Sequence, residues 1–114
     1  MRYPAVAGAF YEGSKERLQR QVEGCFTHRL GPGHLPKKGK GEKRLVGLVV
    51  PHAGYMYSGP VAAFSYAALA EDGLRSSYVV LGPNHSGQGA PLAVTRHDFQ
   101  TPLGIVPIDA DVLA

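Results

Sequence analysis

"LVGLVVPHAGYMYSG", residues 45–59, holds the choice of fold. Leu45 to Val50 is a continuous apolar run, the pattern of a strand covered on both faces, as in parallel sheets. Pro51 stops it, and His52 follows at once. Ser58 or Gly59 then caps a helix, with Pro60 in its first turn. Val61, Phe64, Ala68 and Leu69 recur along one face, and Gly73 ends the helix. Ser77 to Leu81 is a second apolar strand. Strand, helix and strand at this spacing predict a right-handed βαβ unit with parallel strands.

Outward from that unit, Ser14 caps a helix in which Leu18, Val22, Cys25 and Phe26 recur at helical spacing, ending near Thr27. Residues 1–13 read as irregular or extended, and 28–43 as a long loop. Pro91 to Thr95 and Ile105 to Ile108 read as third and fourth strands. Asp109 then caps a helix that the sequence leaves after about one turn, too short to be stable alone. That pattern predicts an amino-terminal piece of a longer protein, the alternative being a frayed tail on a complete small domain.

The bulk numbers narrow the class. The chain has 114 residues, 44% hydrophobic and 18% charged, as expected for one small globular domain. No run is long enough for a membrane helix, and the amino end lacks the pattern of a signal peptide. The single cysteine, Cys25, excludes an internal disulfide framework and fits a cytoplasmic location. The net charge of +3 draws heavily on "KKGKGEKR" at 37–44, which reads as a solvated loop. No aromatic residue interleaves with its lysines, so no nucleic-acid partner is expected.

The second strand exits through "LGPNHSG", residues 81–87, and again delivers a histidine, His85. Parallel neighbouring strands would place His52 and His85 at the same carboxyl edge, where open α/β sheets bind ligands. Two convergent imidazoles suggest a metal. Candidates for a third ligand are Cys25, His97, Asp98 and Asp109, none of which the pattern favours. Tyr55, Tyr57, Ser58 and Asn84 are candidate pocket residues beside the pair. Tyr55 and Tyr57 would line a pocket or pack the turn, and Asn84 would orient a bound group or hold its own turn. The amide groups that open the helix after Ser58 would favour an anion.

Four blocks together resemble the Memo family, also called AmmeMemoRadiSam system protein B: "PAVAGAFYEG" at 4–13, "VPHAGYMYSG" at 50–59, "LGPNHSG" at 81–87 and "TPLGIVPID" at 101–109. The resemblance spans nearly the whole chain and makes 1–114 the amino-terminal part of a single Memo-like domain. It implies the three-layer α/β/α fold of class III extradiol dioxygenases, with a mostly parallel or mixed sheet. It also implies a metal at His52 and His85, iron or copper before zinc, with a further ligand beyond Ala114. A non-haem, metal-dependent redox enzyme follows as the first expectation. The alternative is a non-catalytic module for anionic or phosphotyrosine-type peptides, or a partner of radical-SAM and AMMECR1-like proteins. A small-molecule or peptide ligand and a homo-oligomer are compatible with either.

Overall fold

The computed structural model describes residues 1–42 and 44–114; Lys43, in the charged run, lies outside the described residues. The elements are α1 (Lys15–Thr27), α2 (Tyr55–Asp72), β1 (Phe99–Thr101), β2 (Gly104–Val106) and α3 (Ala110–Leu113). The chain is therefore an α/β structure built on a helix pair and a short hairpin.

α1 starts where its sequence dictates. Ser14 adopts extended backbone as N-cap, and its hydroxyl accepts from the Arg17 amide at 3.4 Å. The helix buries Leu18 and Phe26. Phe26 meets Ala63 and Ala67 of α2 in a small core, with Val22 and Cys25 packed against it. The face of α2 turned to α1 is thus Gly59, Ala63 and Ala67, not the expected Val61, Phe64, Ala68 and Leu69. Small side chains win because they let two helix backbones come close. At Gly59 an added Cβ would fall on the Cys25 Sγ atom, so a larger residue there requires Cys25 to turn away or the helices to part. Val61 and Phe64 stay 54% and 52% exposed on another side of the same helix.

α2 also begins earlier than expected, at Tyr55 rather than after Ser58. Its N-cap, Gly54, has no side chain to cap with. The amino-terminal segment does that work instead: the Tyr55 amide donates to the Phe10 carbonyl at 2.8 Å. A free helix amide is satisfied from 45 residues away in the chain, which no local pattern records. Pro60 then falls in the second turn, where it removes one helical hydrogen bond. Gly73 ends the helix as expected, at φ 109°, with its amide on the Leu69 carbonyl at 3.0 Å.

Among the described residues, the expected strands 45–50, 77–81 and 91–95 carry no strand hydrogen bonding, and no parallel sheet forms. Segment 45–50 is instead held to α2. The Asp72 carboxylate accepts from the Arg44 and Leu45 amides at 2.9 Å each. Arg75 Nη2 donates to the same carboxylate at 2.7 Å and to the Leu45 carbonyl at 3.0 Å. Further on, the Ser65 hydroxyl donates to the Val49 carbonyl at 3.3 Å. Cover is uneven along the run: Leu45 and Val50 are half-buried, while Val46 and Val49 are fully open. Strand propensity cannot produce a ladder without a partner backbone.

The sheet that does form is elsewhere. β1 and β2 pair antiparallel, with Gln100 opposite Ile105. The fourth expected strand, 105–108, is therefore shifted to Gly104–Val106, and its partner Phe99–Thr101 has no counterpart in the sequence reading. Arg2 bridges to Phe99 in parallel: its amide donates to the Asp98 carbonyl at 2.7 Å, and the Gln100 amide donates to the Arg2 carbonyl at 2.8 Å. Asp109 caps α3 as expected, accepting from the amides of Asp111 and Val112.

Candidate metal centre

His52 lies two residues before the N-cap of α2, on the turn that leaves segment 45–50. His85 lies in the glycine-rich turn after segment 77–81. The two turns meet, although no sheet joins the segments that lead to them. The imidazole ring centres are 5.3 Å apart, with the planes tilted by 39°. Both residues are exposed. The histidine hydrogen bonds among the described residues belong to His28, His34 and His97, so neither ring of the pair is engaged by the protein.

That separation can be set against the needs of a metal. A nitrogen ligand sits ~2.0–2.1 Å from zinc, which puts the ion ~3.2 Å from each ring centre. A tetrahedral angle between two such ligands then separates the ring centres by ~5.2 Å. The observed ring-centre spacing is close to that value, and imidazole nitrogen suits iron, copper, zinc and nickel alike. The described residues supply two donors and no more: no group of three His, Cys, Asp or Glu side chains comes together among them.

The candidates for a third ligand are all engaged elsewhere. The Cys25 thiol is half-buried between α1 and α2, where burial pushes its pKa up and keeps it protonated. His97 Nδ1 lies 3.5 Å from the terminal ammonium of Met1. The Asp98 carboxylate accepts from the Ile108 amide at 2.9 Å. Asp109 caps α3 and takes the hydroxyl of Ser77, and these bonds hold its carboxyl below the usual range, the Ser77 bond most of all.

Beside His52 opens a cavity of about 370 Å³. Its walls include Phe10 and Tyr11 from the amino-terminal segment, Cys25 and Phe26 from α1, and Tyr55 and Tyr66 from α2. Tyr11 and Tyr55 pack with ring centres 5.5 Å apart. Burial raises the Tyr55 phenol, and the nearby Tyr66, Tyr11 and Cys25 groups raise it further, so it is a hydrogen-bond donor at neutral pH. Ser58 lines the same space, but its hydroxyl donates to the Ala53 carbonyl at 3.1 Å and so braces the His52 turn. Tyr57 points outward, 79% exposed. Asn84 spends its amide on its own loop, donating to the Gln88 carbonyl and accepting from the Gly87 amide and the Ser86 hydroxyl. Phe10 and Tyr11 were not singled out as site residues in the sequence reading. The signal was there in "PAVAGAFYEG", an apolar, aromatic segment with no periodicity of its own to explain it.

The model of Memo-like proteins matches residues 2–114. The chain belongs to the Memo family. A MEMO1 family protein of Methanopyrus kandleri is 51% identical over 111 residues, covering 96% of this chain and 39% of its own length. One from Methanothermobacter thermautotrophicus is 49% identical over 113 residues, covering 98% of this chain and 40% of its own length. One from Pyrobaculum arsenaticum is 51% identical over 113 residues, with 98% and 40% covered. The chain thus spans about 40% of the length of the curated Memo relatives it matches. No solved structure matches it. No helix among the described residues is long and apolar enough to cross a membrane.

Proposed function

We propose that His52 and His85 are two ligands of a transition-metal centre, and that a family-length protein with this amino-terminal part is a non-haem, metal-dependent redox enzyme. The observation that carries this reading is the 5.3 Å approach of two imidazoles from separate turns. A pair of neutral nitrogen donors holds a metal without fixing its charge, which leaves room for an anionic third ligand and for open positions. The metal, when bound, would supply a redox-active Lewis acid. The roles of this chain's residues follow from their positions. Pro51 and Gly54 fix the turn that presents His52, and the Ser58 hydroxyl pins that turn through the Ala53 carbonyl. Asn84 does the same for the His85 loop through its three internal hydrogen bonds. The apolar cavity beside His52 would take the body of a small-molecule ligand and exclude water from it. The remaining ligands, and the three-layer α/β/α architecture expected of the family, would come from the part of a family-length chain outside these 114 residues.

The test is copper(II) titration followed by electron paramagnetic resonance, which counts coordinated nitrogens. The expected result is one strong equivalent showing two imidazole nitrogens in the unsubstituted chain. His52→Ala and His85→Ala should each weaken binding about 10-fold or more, while His28→Ala should not. A spectrum unchanged in the His52→Ala/His85→Ala double variant would refute the assignment.

A further inference from the structure

The positive charge of the chain is gathered in one place. Residues 37–44, "KKGKGEKR", hold five cations and one carboxylate, a net +4, whereas the whole chain is +3. The remaining residues together are therefore slightly negative. The charged run expected to be a solvated loop has its backbone seated on the carboxyl end of α2. The Gly39 amide donates to the Ala70 carbonyl at 2.8 Å. A Cβ added at Gly39 would collide with the Glu71 carbonyl, and one added at Gly73 would collide with the Gly41 Cα atom. The Arg44 amide, on the Asp72 carboxylate at 2.9 Å, holds the far end. Glycine thus lets the backbone lie against the helix end, while Lys38 and Lys40, on either side of Gly39, stay exposed. Lys37, Lys38 and Lys40 enter no ion pair among the described residues. Of the carboxylates nearby, Glu42 pairs with Arg44 at 3.3 Å and Asp72 with Arg75 at 2.7 Å, which leaves Glu71 alone against three lysines.

We propose that this seated lysine row is a docking surface for an acidic segment, rich in Asp and Glu, of a partner protein. A lysine ammonium is a compact point charge that meets a carboxylate without a fixed orientation. The Cα atoms of Lys37 and Lys40 lie at most ~10 Å apart, so a few successive carboxylates of one extended peptide cover all three lysines. The seated backbone sets the row in place before the partner arrives, which lowers the ordering cost of binding. Charge complementarity chooses this occupant over the other polyanions. A nucleic-acid single strand wants aromatic residues to stack on, and 37–44 has none. A duplex wants a helix or paired strands for its groove, and the described residues of the segment form neither. An anionic membrane surface wants apolar anchors beside the cations, and the segment has none of these either. The row sits at the carboxyl end of α2, whereas His52 precedes its amino end. Eighteen helical residues span ~27 Å, so this surface is separate from the histidine pair and does not depend on a metal there.

Fluorescence anisotropy tests it with a labelled peptide of alternating Glu and Ser, at low and at physiological salt. A short DNA duplex and vesicles of phosphatidylserine with phosphatidylcholine are measured beside it. The peptide should bind tightest of the three and weaken by about 10-fold between the two salt conditions. Lys37→Gln/Lys38→Gln/Lys40→Gln should weaken peptide binding by about 10-fold or more. The same loss of charge on α1, Lys15→Gln/Arg17→Gln/Arg20→Gln, should change it by less than about 2-fold. Gly39→Ala keeps every charge but unseats the row, and should weaken binding by about 3-fold or more. Absent or salt-insensitive peptide binding overturns the proposal, and so does tighter binding of the duplex or the vesicles. Equal losses from the two triple variants overturn it as well, because net charge alone then suffices. So does a folded Gly39→Ala variant that binds as the unsubstituted chain does. If Gly39→Ala loses its helical circular dichroism, amide exchange in the unsubstituted chain decides. Exchange at Gly39 slower than at Lys38 by about 10-fold or more supports the seated row, and equal exchange overturns it.

Discussion

Gly59→Ala tests how the helix pair is held. Two effects of the substitution oppose one another. Alanine in place of glycine inside a helix stabilises it by ~1 kcal/mol through backbone entropy. Against this, the new methyl would fall within 3.0 Å of the Cys25 Sγ atom, with the Cys25 Cβ 3.6 Å away. Relief requires a new Cys25 rotamer or separation of α1 from α2, and overpacking of this kind costs ~1–3 kcal/mol. The net expectation is a change between neutral and ~2 kcal/mol destabilising. In a Cys25→Ala background the obstructing sulfur is gone, so the same substitution should stabilise by up to ~1 kcal/mol. The sign therefore reverses between backgrounds, and the double-mutant cycle should give a coupling of ~1–3 kcal/mol. Urea denaturation followed by far-ultraviolet circular dichroism measures all four corners. Equal stabilisation by Gly59→Ala in both backgrounds would refute the close approach of the helices at this point.

Two further substitutions test the ends of the helices. Asp72 has its carboxyl held down to about 2 by the Arg75 hydrogen bond first, then by the Leu45 and Arg44 amides. An unfolded aspartate titrates near ~3.9, so this contribution is complete above ~pH 4 and is lost as pH falls through the folded value. Asp72→Asn should flatten the acid limb of the stability profile between those values, and exchange at the Arg44 and Leu45 amides should speed up; an unchanged acid limb counts against the clasp. Ser14→Ala removes the cap of α1 and should cost ~0.5–1 kcal/mol, toward the weak end of capping effects because the bond is 3.4 Å long. Thermal melts of the two proteins check this.

Local chemistry was legible in the sequence where the cause is local. Ser14, Gly73 and Asp109 mark their helix ends because each acts on backbone groups within a few residues. What depended on partners far along the chain was not legible. α2 starts early because Phe10 offers a carbonyl, and its packed face is set by the reach of α1. The apolar runs 45–50 and 77–81 were read as strands from composition that suits burial on both sides. Among the described residues nothing provides that burial, so the pattern describes a requirement these residues do not meet by themselves. The histidine pair shows a different relation. Its prediction leaned on parallel strand pairing, and the pairing is absent, yet the two turns still bring the rings within 5.3 Å. Turn chemistry from Pro51, Gly54 and Asn84, with the clasp at Asp72, positions the loops without the ladder.

The bridge between Arg2 and Phe99 sets a timetable for synthesis. During translation the first residues leave the ribosome with no edge to join until about a hundred more have been made. Until then they wait as a free, partly apolar tail, a species open to proteases and chaperones. A purification handle fused ahead of Met1 would hang from that same seam.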